Sequence, residues 1–106
     1  MIRRDITMND KEMIHNSARL FKILGDETRL SILHLLSKAE ANVSTIVNHI
    51  GIEQSNASHQ LKILKDHRLI QSRREGKSVV YFPDDNHIYE ILDQVFAHIK
   101  EDTDTE

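Results

Sequence analysis

A chain of 106 residues, 39% hydrophobic and 29% charged, has room for one domain with a modest core. It has no cysteine, which excludes disulfides, thiolate metal sites and thiol catalysis; no apolar run approaches the ~18 residues of a membrane span, and with no signal-peptide pattern a cytoplasmic location is expected. The net charge of −3 would argue against nucleic acid if it were evenly spread, but residues 59–78 carry Lys62, Lys65, Arg68, Arg73, Arg74 and Lys77 against only Asp66 and Glu75, a basic segment in an acidic chain.

The first predicted element covers 9–24, with Asn9 or Asp10 as cap and Met13, Ile14, Ser17, Leu20, Phe21 and Leu24 along one side. Gly25 fits its stop and Asp26 the next cap. The segment "ETRLSILHLLSK" then turns Leu30, Leu33 and Leu36 inward, with Ile32 and Leu35 widening the face. A short helix around 44–50 ends at Gly51, and another runs from about Ser55 to His67 with Leu61 and Leu64 inward. In "LIQSRREGKSVVYF" the period changes, and two runs of branched and aromatic residues flank "REGK", a hairpin signal with Gly at the turn. Pro83 and Asp84 close it. The last helix carries an apolar stripe of Ile88, Ile91, Leu92, Val95, Phe96 and Ile99. The tail "EDTDTE" lacks apolar residues and is expected to fray over 102–106.

Two short helices about a tight turn, followed by a basic hairpin, predict a single domain over 1–106. It is mainly α with a small β-hairpin, a winged helix-turn-helix. The helix-turn-helix spans 44–67 and the wing 69–82; 9–24 and 85–101 are the expected dimerisation helices. The second helix opens with "QSNASHQLK", whose Gln54, Ser55, Asn56, Ser58 and His59 offer donors and acceptors suited to base edges. Lys62 and Lys65 lie a turn further on, within reach of phosphates, and the hairpin tip from Arg73 and Arg74 to Lys77 is placed for the neighbouring backbone or minor groove. The bland alternative makes Ser55 a cap and the rest solvated surface. Turn, basic hairpin and charge segregation together favour DNA.

The last helix poses a separate question. Asp85 and His87 stand at one end and His98 and Glu101 at the other, all residue types that bind metals. Eleven residues separate the two histidines, about 16 Å along a helix, so one chain cannot hold an ion between them. Eleven residues is close to three turns, which leaves the histidines only ~20° apart around the axis, and Glu101 follows His98 one turn on. An antiparallel second copy, crossing near Asp93, brings Asp85 and His87 level with His98 and Glu101 of its partner. Symmetry then makes two sites, each with two imidazoles and two carboxylates. Four N/O ligands without sulfur suit tetrahedral Zn(II), two ions per dimer, with Co(II) a natural substitute. A lone histidine on a helix edge is ordinarily a surface or core residue, and His15, His34, His49 and His67 are read that way. His59 is set apart by its place on the reading helix.

The runs "FKILGDETRLSILHLL" and "IEQSNASHQLKILKDHRLIQSRREGKSVVYF" resemble the ArsR/SmtB family of bacterial metal-sensing repressors, over roughly residues 17–101. The resemblance implies a winged-helix homodimer that represses a palindromic operator until an effector ion binds, with metal efflux or resistance genes under its control. Members with a cysteine pair near the "TRL" helix sense arsenic, lead or cadmium; here that helix has His34 and no cysteine. Other members carry Asp-x-His, ten residues, then His-x-x-His or His-x-x-Glu on the C-terminal helix. Asp85-Asn86-His87 and His98-Ile99-Lys100-Glu101 match the Glu-ending form, most like the zinc- and cobalt-responsive members.

Such a chain is expected to be no enzyme and to take no small-molecule substrate. A nickel or cobalt sensor of the same family would need further ligands for six-coordination, with only His15 at hand in the N-terminal segment or tail. A zinc hydrolase would need an open coordination position, which four protein ligands do not leave. A metal-bound imidazole usually donates its second N–H to a carbonyl or carboxylate. For His98 the expected acceptor is in His67–Leu69, where a helix end exposes carbonyls.

Overall fold

Asn9 opens the first helix by a reciprocal cap: its Oδ1 accepts from the Glu12 N–H at 2.8 Å, while Glu12 Oε1 accepts from the Asn9 N–H at 3.1 Å. The computed structural model describes residues 8–104. Helix α1 (Asp10–Leu24) packs only by its C-terminal end, through Leu20, Ile23 and Leu24; Ile14 and Phe21 remain 66% and 59% exposed. Asp26 caps helix α2 (Glu27–Lys38) by accepting from the Arg29 N–H at 2.9 Å. Ile32, Leu33 and Leu36 are its buried residues, with Leu30 and Leu35 partly covered.

A short strand follows that the sequence did not announce. β1 (Ala41–Asn42) leads into helix α3 (Val43–Ile50), which the Asn42 side chain caps at the Thr45 N–H. α3 ends at Gly51 with φ +80, and helix α4 (Gln54–Asp66) starts three residues later. Strands β2 (Ile70–Glu75) and β3 (Ser78–Pro83) form the hairpin, with Gly76 at φ +62 as the first residue of its two-residue loop. β1 pairs with β3, Ala41 opposite Tyr81, so the sheet has three strands in the order β1-β3-β2. Helix α5 (His87–Asp104) takes in the first three residues of the tail expected to fray over 102–106, and 105–106 lie outside the described residues.

The core gathers Leu24 of α1, Ile32, Leu33 and Leu36 of α2, Ile46 of α3, Leu61 and Leu64 of α4, Leu69 and Ile70 at the root of the wing, and Tyr89 and Leu92 of α5. Tyr89 stands outside the expected stripe. Its ring is 8% exposed and its hydroxyl donates to the Leu69 carbonyl at 3.0 Å; burial, and then the nearby Asp84 and Asp85, keeps the phenol protonated above its usual range. The stripe itself divides. Ile88, Leu92 and Phe96 face the domain, with Phe96 edge-on to His34 at 5.3 Å, while Ile91, Val95 and Ile99 face out.

The tight turn between α3 and α4 rests on the left-handed backbone of Gly51, where an added Cβ would meet nothing within 4 Å. The constraint is therefore φ, and a side chain there costs ~1–2 kcal/mol by sterics with its own backbone. Gly51→Ala is expected to lose about that much in denaturant unfolding, and Gly51→Asn clearly less, since Asn tolerates this region. Equal losses for the two would point to crowding instead.

Candidate DNA-reading face and metal half-sites

Helix α4 buries Ala57, Leu61 and Leu64 and thereby turns Gln54, Ser55, Asn56, Ser58 and His59 outward, all exposed. Its cap position is Glu53, which makes no side-chain capping bond, so Ser55 lies inside the first turn and is not the cap. Lys62 pairs with Asp66 at 3.2 Å, both well exposed; such an i,i+4 pair is worth only ~0.3–0.5 kcal/mol and is easily exchanged for a phosphate. Lys65 donates from Nζ to Ser72 Oγ at 2.7 Å and so ties the reading helix to the wing.

At the wing, Arg74 and Lys77 are exposed near the hairpin tip. Arg73, grouped with them in the sequence, is differently engaged. Its guanidinium donates to Glu40 and to Glu75 and lies 5.2 Å from the centre of the Phe82 ring. The hydrogen bond from Arg73 holds the Glu40 carboxyl below its usual range. Arg73 is thus a brace between β2 and the turn before β1, and its partner Glu40 lies 33 positions away in sequence.

One residue of the basic segment was not among the candidates for DNA contact. α4 ends with His67 as cap, Arg68 at φ +60, the Arg68 N–H on the Lys65 carbonyl and the Leu69 N–H on the Leu64 carbonyl. This is a Schellman ending with buried Leu69 as its apolar contact, but the left-handed position that favours glycine holds arginine. Arg68 is the one non-glycine residue at positive φ among those described. With Ser58, Lys62, Lys65, Asp66, Gln71 and Tyr81 it lines a groove of about 600 Å³ between reading helix and wing, where three basic side chains face one carboxylate. The signal in the sequence is a helix stop, "KDHRL", that lacks glycine.

Asp85 and His87, expected as one half-site, lie together. Asp85 Oδ1 accepts from the His87 N–H at 3.0 Å, and Asp85 Oδ2 stands 3.4 Å from His87 Nδ1, with the side chains 53% and 85% exposed. His98 and Glu101 are exposed further along α5. Among the described residues of one chain no three His, Asp or Glu side chains come together as a metal group, so the four predicted ligands meet only if a second copy supplies two of them. His15, His34, His49 and His67 are exposed. No helix among the described residues is long and apolar enough to cross a membrane.

Residues 26–72 match the model of a family described as bacterial regulatory protein, arsR family. The chain is 38% identical over 85 residues to a cadmium resistance transcriptional regulatory protein, CadC homolog, of Staphylococcus aureus, covering 79% of this chain and 70% of that one. It is 34% identical over 84 residues to a transcriptional repressor SmtB homolog of a Synechocystis strain, covering 79% and 64%. Among solved structures, the homodimeric winged helix-turn-helix DNA-binding domain of a possible ArsR-family regulator from Mycobacterium bovis superposes with a TM-score of 0.82, at 27% identity, covering 95% of each chain.

Arg68 and Arg73 are expected to part company when replaced. Arg68→Gly relieves the left-handed strain and should raise stability by up to about 1 kcal/mol. It should also weaken binding to any duplex and lower the slope of log K against log salt by about 0.9, the share of one phosphate contact. Arg73→Ala should leave that slope nearly unchanged and lower the melting temperature. Fluorescence anisotropy on one duplex across a salt series reads the slopes; an unaltered slope for Arg68→Gly would remove it from the interface.

Proposed function

Because the chain belongs to the ArsR family of bacterial regulatory proteins, which are DNA-binding transcriptional regulators rather than enzymes, we propose that it is a zinc-responsive transcriptional repressor. In this reading a metal-free cytoplasmic homodimer binds a palindromic operator, and zinc binding at two intersubunit sites releases it, derepressing metal efflux or resistance genes. The relatives named for cadmium resistance and for repression support a metal-responsive role, and the cysteine-free, N/O-only ligand set favours zinc.

The outward face of α5 carries the proposal. Asp85 and His87 converge at its start, His98 and Glu101 stand exposed toward its end, and the half-exposed Ile91, Val95 and Ile99 run between them. Each of these three has on the order of 1 kcal/mol to gain from burial of its exposed surface. An antiparallel α5 pair would bury them and bring the half-sites of two subunits together, with the exposed Ile14 and Phe21 of α1 extending the contact. Zn(II) held by Asp85 and His87 with His98 and Glu101 of the partner subunit would supply a fixed cross-link between the chains, and Co(II) could replace it.

The chain's own residues set the rest. The His87 N–H orients the Asp85 carboxylate toward the imidazole. For the outer N–H of His98, the segment 67–69 is narrower than the sequence suggested. The Leu69 carbonyl already accepts from Tyr89 and from the Asp84 N–H, and a carbonyl has two lone pairs. The carbonyls of His67 and Arg68 are the acceptors this leaves. They sit where the reading helix ends, so a hydrogen bond from a zinc-bound His98 to either of them would link the ion to the element that carries Ser55 to His59.

Titration is expected to give one zinc per chain. His87→Ala and His98→Ala proteins should each fail to release DNA with zinc, while an equimolar mixture regains one site per heterodimer, because each chain supplies the half the other lacks. Anisotropy on an operator duplex with and without one equivalent of zinc reads the release. No rescue in a mixture shown to exchange subunits would end the shared-site model. The visible spectrum of the Co(II) form checks the coordination, since tetrahedral sites absorb far more strongly than six-coordinate ones.

A further inference from the structure

Asn56 belongs to a hydrogen-bonded relay that begins outside the reading helix. Arg29, in the first turn of α2, donates from Nε to the Ile23 carbonyl at 2.7 Å and from Nη1 to Gln60 Oε1 at 2.9 Å. Gln60 in turn donates from Nε2 to Asn56 Oδ1 at 3.1 Å. Arg29 and Gln60 are partly buried, and Asn56 is exposed.

The direction of this relay is fixed by chemistry. An amide can ordinarily be turned over, exchanging its oxygen and its NH2. A guanidinium has five N–H donors and no acceptor, so Gln60 must face Arg29 with its oxygen. Its NH2 then faces Asn56, which must answer with its own oxygen. With one lone pair of that oxygen taken, the wholly unengaged group that Asn56 presents outward is Nδ2, a donor.

We propose that Asn56 is a specificity-determining residue held in a donor-out orientation by Arg29 through Gln60, and that it selects an acceptor edge in the major groove, guanine above the others. This rests on the reading above that α4 enters the groove. Guanine shows two acceptors there, N7 and O6, whereas cytosine shows only its N4 amino donor. The usual pairing of asparagine with adenine needs the amide oxygen to accept from N6 while the nitrogen donates to N7. Here Gln60 already occupies one lone pair of that oxygen and fixes the rotation of the amide, which disfavours the paired adenine contact while leaving Nδ2 free to donate. Arg29 and Gln60 are positioning residues, acting on the base only through Asn56.

The test alters polarity without altering shape. Gln60→Glu keeps an acceptor toward Arg29 but offers only acceptors to Asn56 as well. The Asn56 amide must then turn over, donate to Glu, and present its oxygen outward. Metal-free wild-type, Gln60→Glu and Gln60→Leu proteins would each select from a pool of random-sequence duplexes, and the bound fractions would be sequenced. Wild type is expected to enrich guanine at one position of each half-site. Gln60→Glu should shift that position to cytosine or adenine, by roughly fivefold or more, the discrimination of one good base contact. Gln60→Leu releases the Asn56 oxygen and should raise adenine there. A general structural role would lower affinity and leave the base preferences as they were. Unchanged preferences in both variants, or a wild-type preference for adenine that disappears in Asn56→Ala, would overturn the relay while leaving DNA recognition intact. Failure of the wild type to select any sequence would overturn both.

Discussion

Three elements of this protein meet on the peptide groups of one buried residue. The Leu69 N–H closes α4 on the Leu64 carbonyl, and the Leu69 carbonyl receives the Tyr89 hydroxyl of α5 and the Asp84 N–H at the end of the wing. The side chain, 2% exposed, anchors this joint in the core. Buried backbone polar groups must be paired somewhere, and here that requirement fastens the reading helix, the hairpin and the last helix to a common point. The left-handed Arg68 just before it is the strained residue that lets the chain turn from helix to strand so abruptly.

The same fastening explains why α5 can serve two masters. Its inner stripe, Ile88, Tyr89, Leu92 and Phe96, is spent on the domain; its outer stripe, Ile91, Val95 and Ile99, is not. A helix of this length with both stripes apolar gains more from a second surface than from water. The metal-ligand types flank the outer stripe. α1 shows the same economy, packing at Leu20, Ile23 and Leu24 and leaving Met13, Ile14 and Phe21 exposed.

Much of this was legible in the sequence, for identifiable reasons. Helices with caps and regular period declared themselves, as at Asn9, Asp26 and Gly51, and the change of period at 69–82 marked the wing. The two-residue β1 is too short to show alternation. The apolar residues of α5 lie on one broad arc in the sequence pattern, so only packing could divide it and bring in Tyr89. The pairing of Asp85 with His87 is local, two residues apart, and so could be read directly. Arg73 could not, because its position depends on Glu40, brought close by the fold alone. Arg68 was counted among the basic residues but not placed at the groove, because the left-handed backbone of its helix stop shows in the sequence only as a missing glycine.

Asn42 belongs to two parts of the reading head at once. Its backbone pairs with Val80 in the sheet and its side chain caps α3. A single residue thus leaves no soft hinge between wing and helix-turn-helix, and Lys65 to Ser72 closes the other side. These contacts brace wing and helix-turn-helix against each other from both sides. In a dimer of such heads, the adjustable quantity is the separation and tilt between them, measured against the ~34 Å repeat of the double helix. Regulation would then be a matter of spacing, and the interface between copies, not the surface that touches bases, would be where it is set.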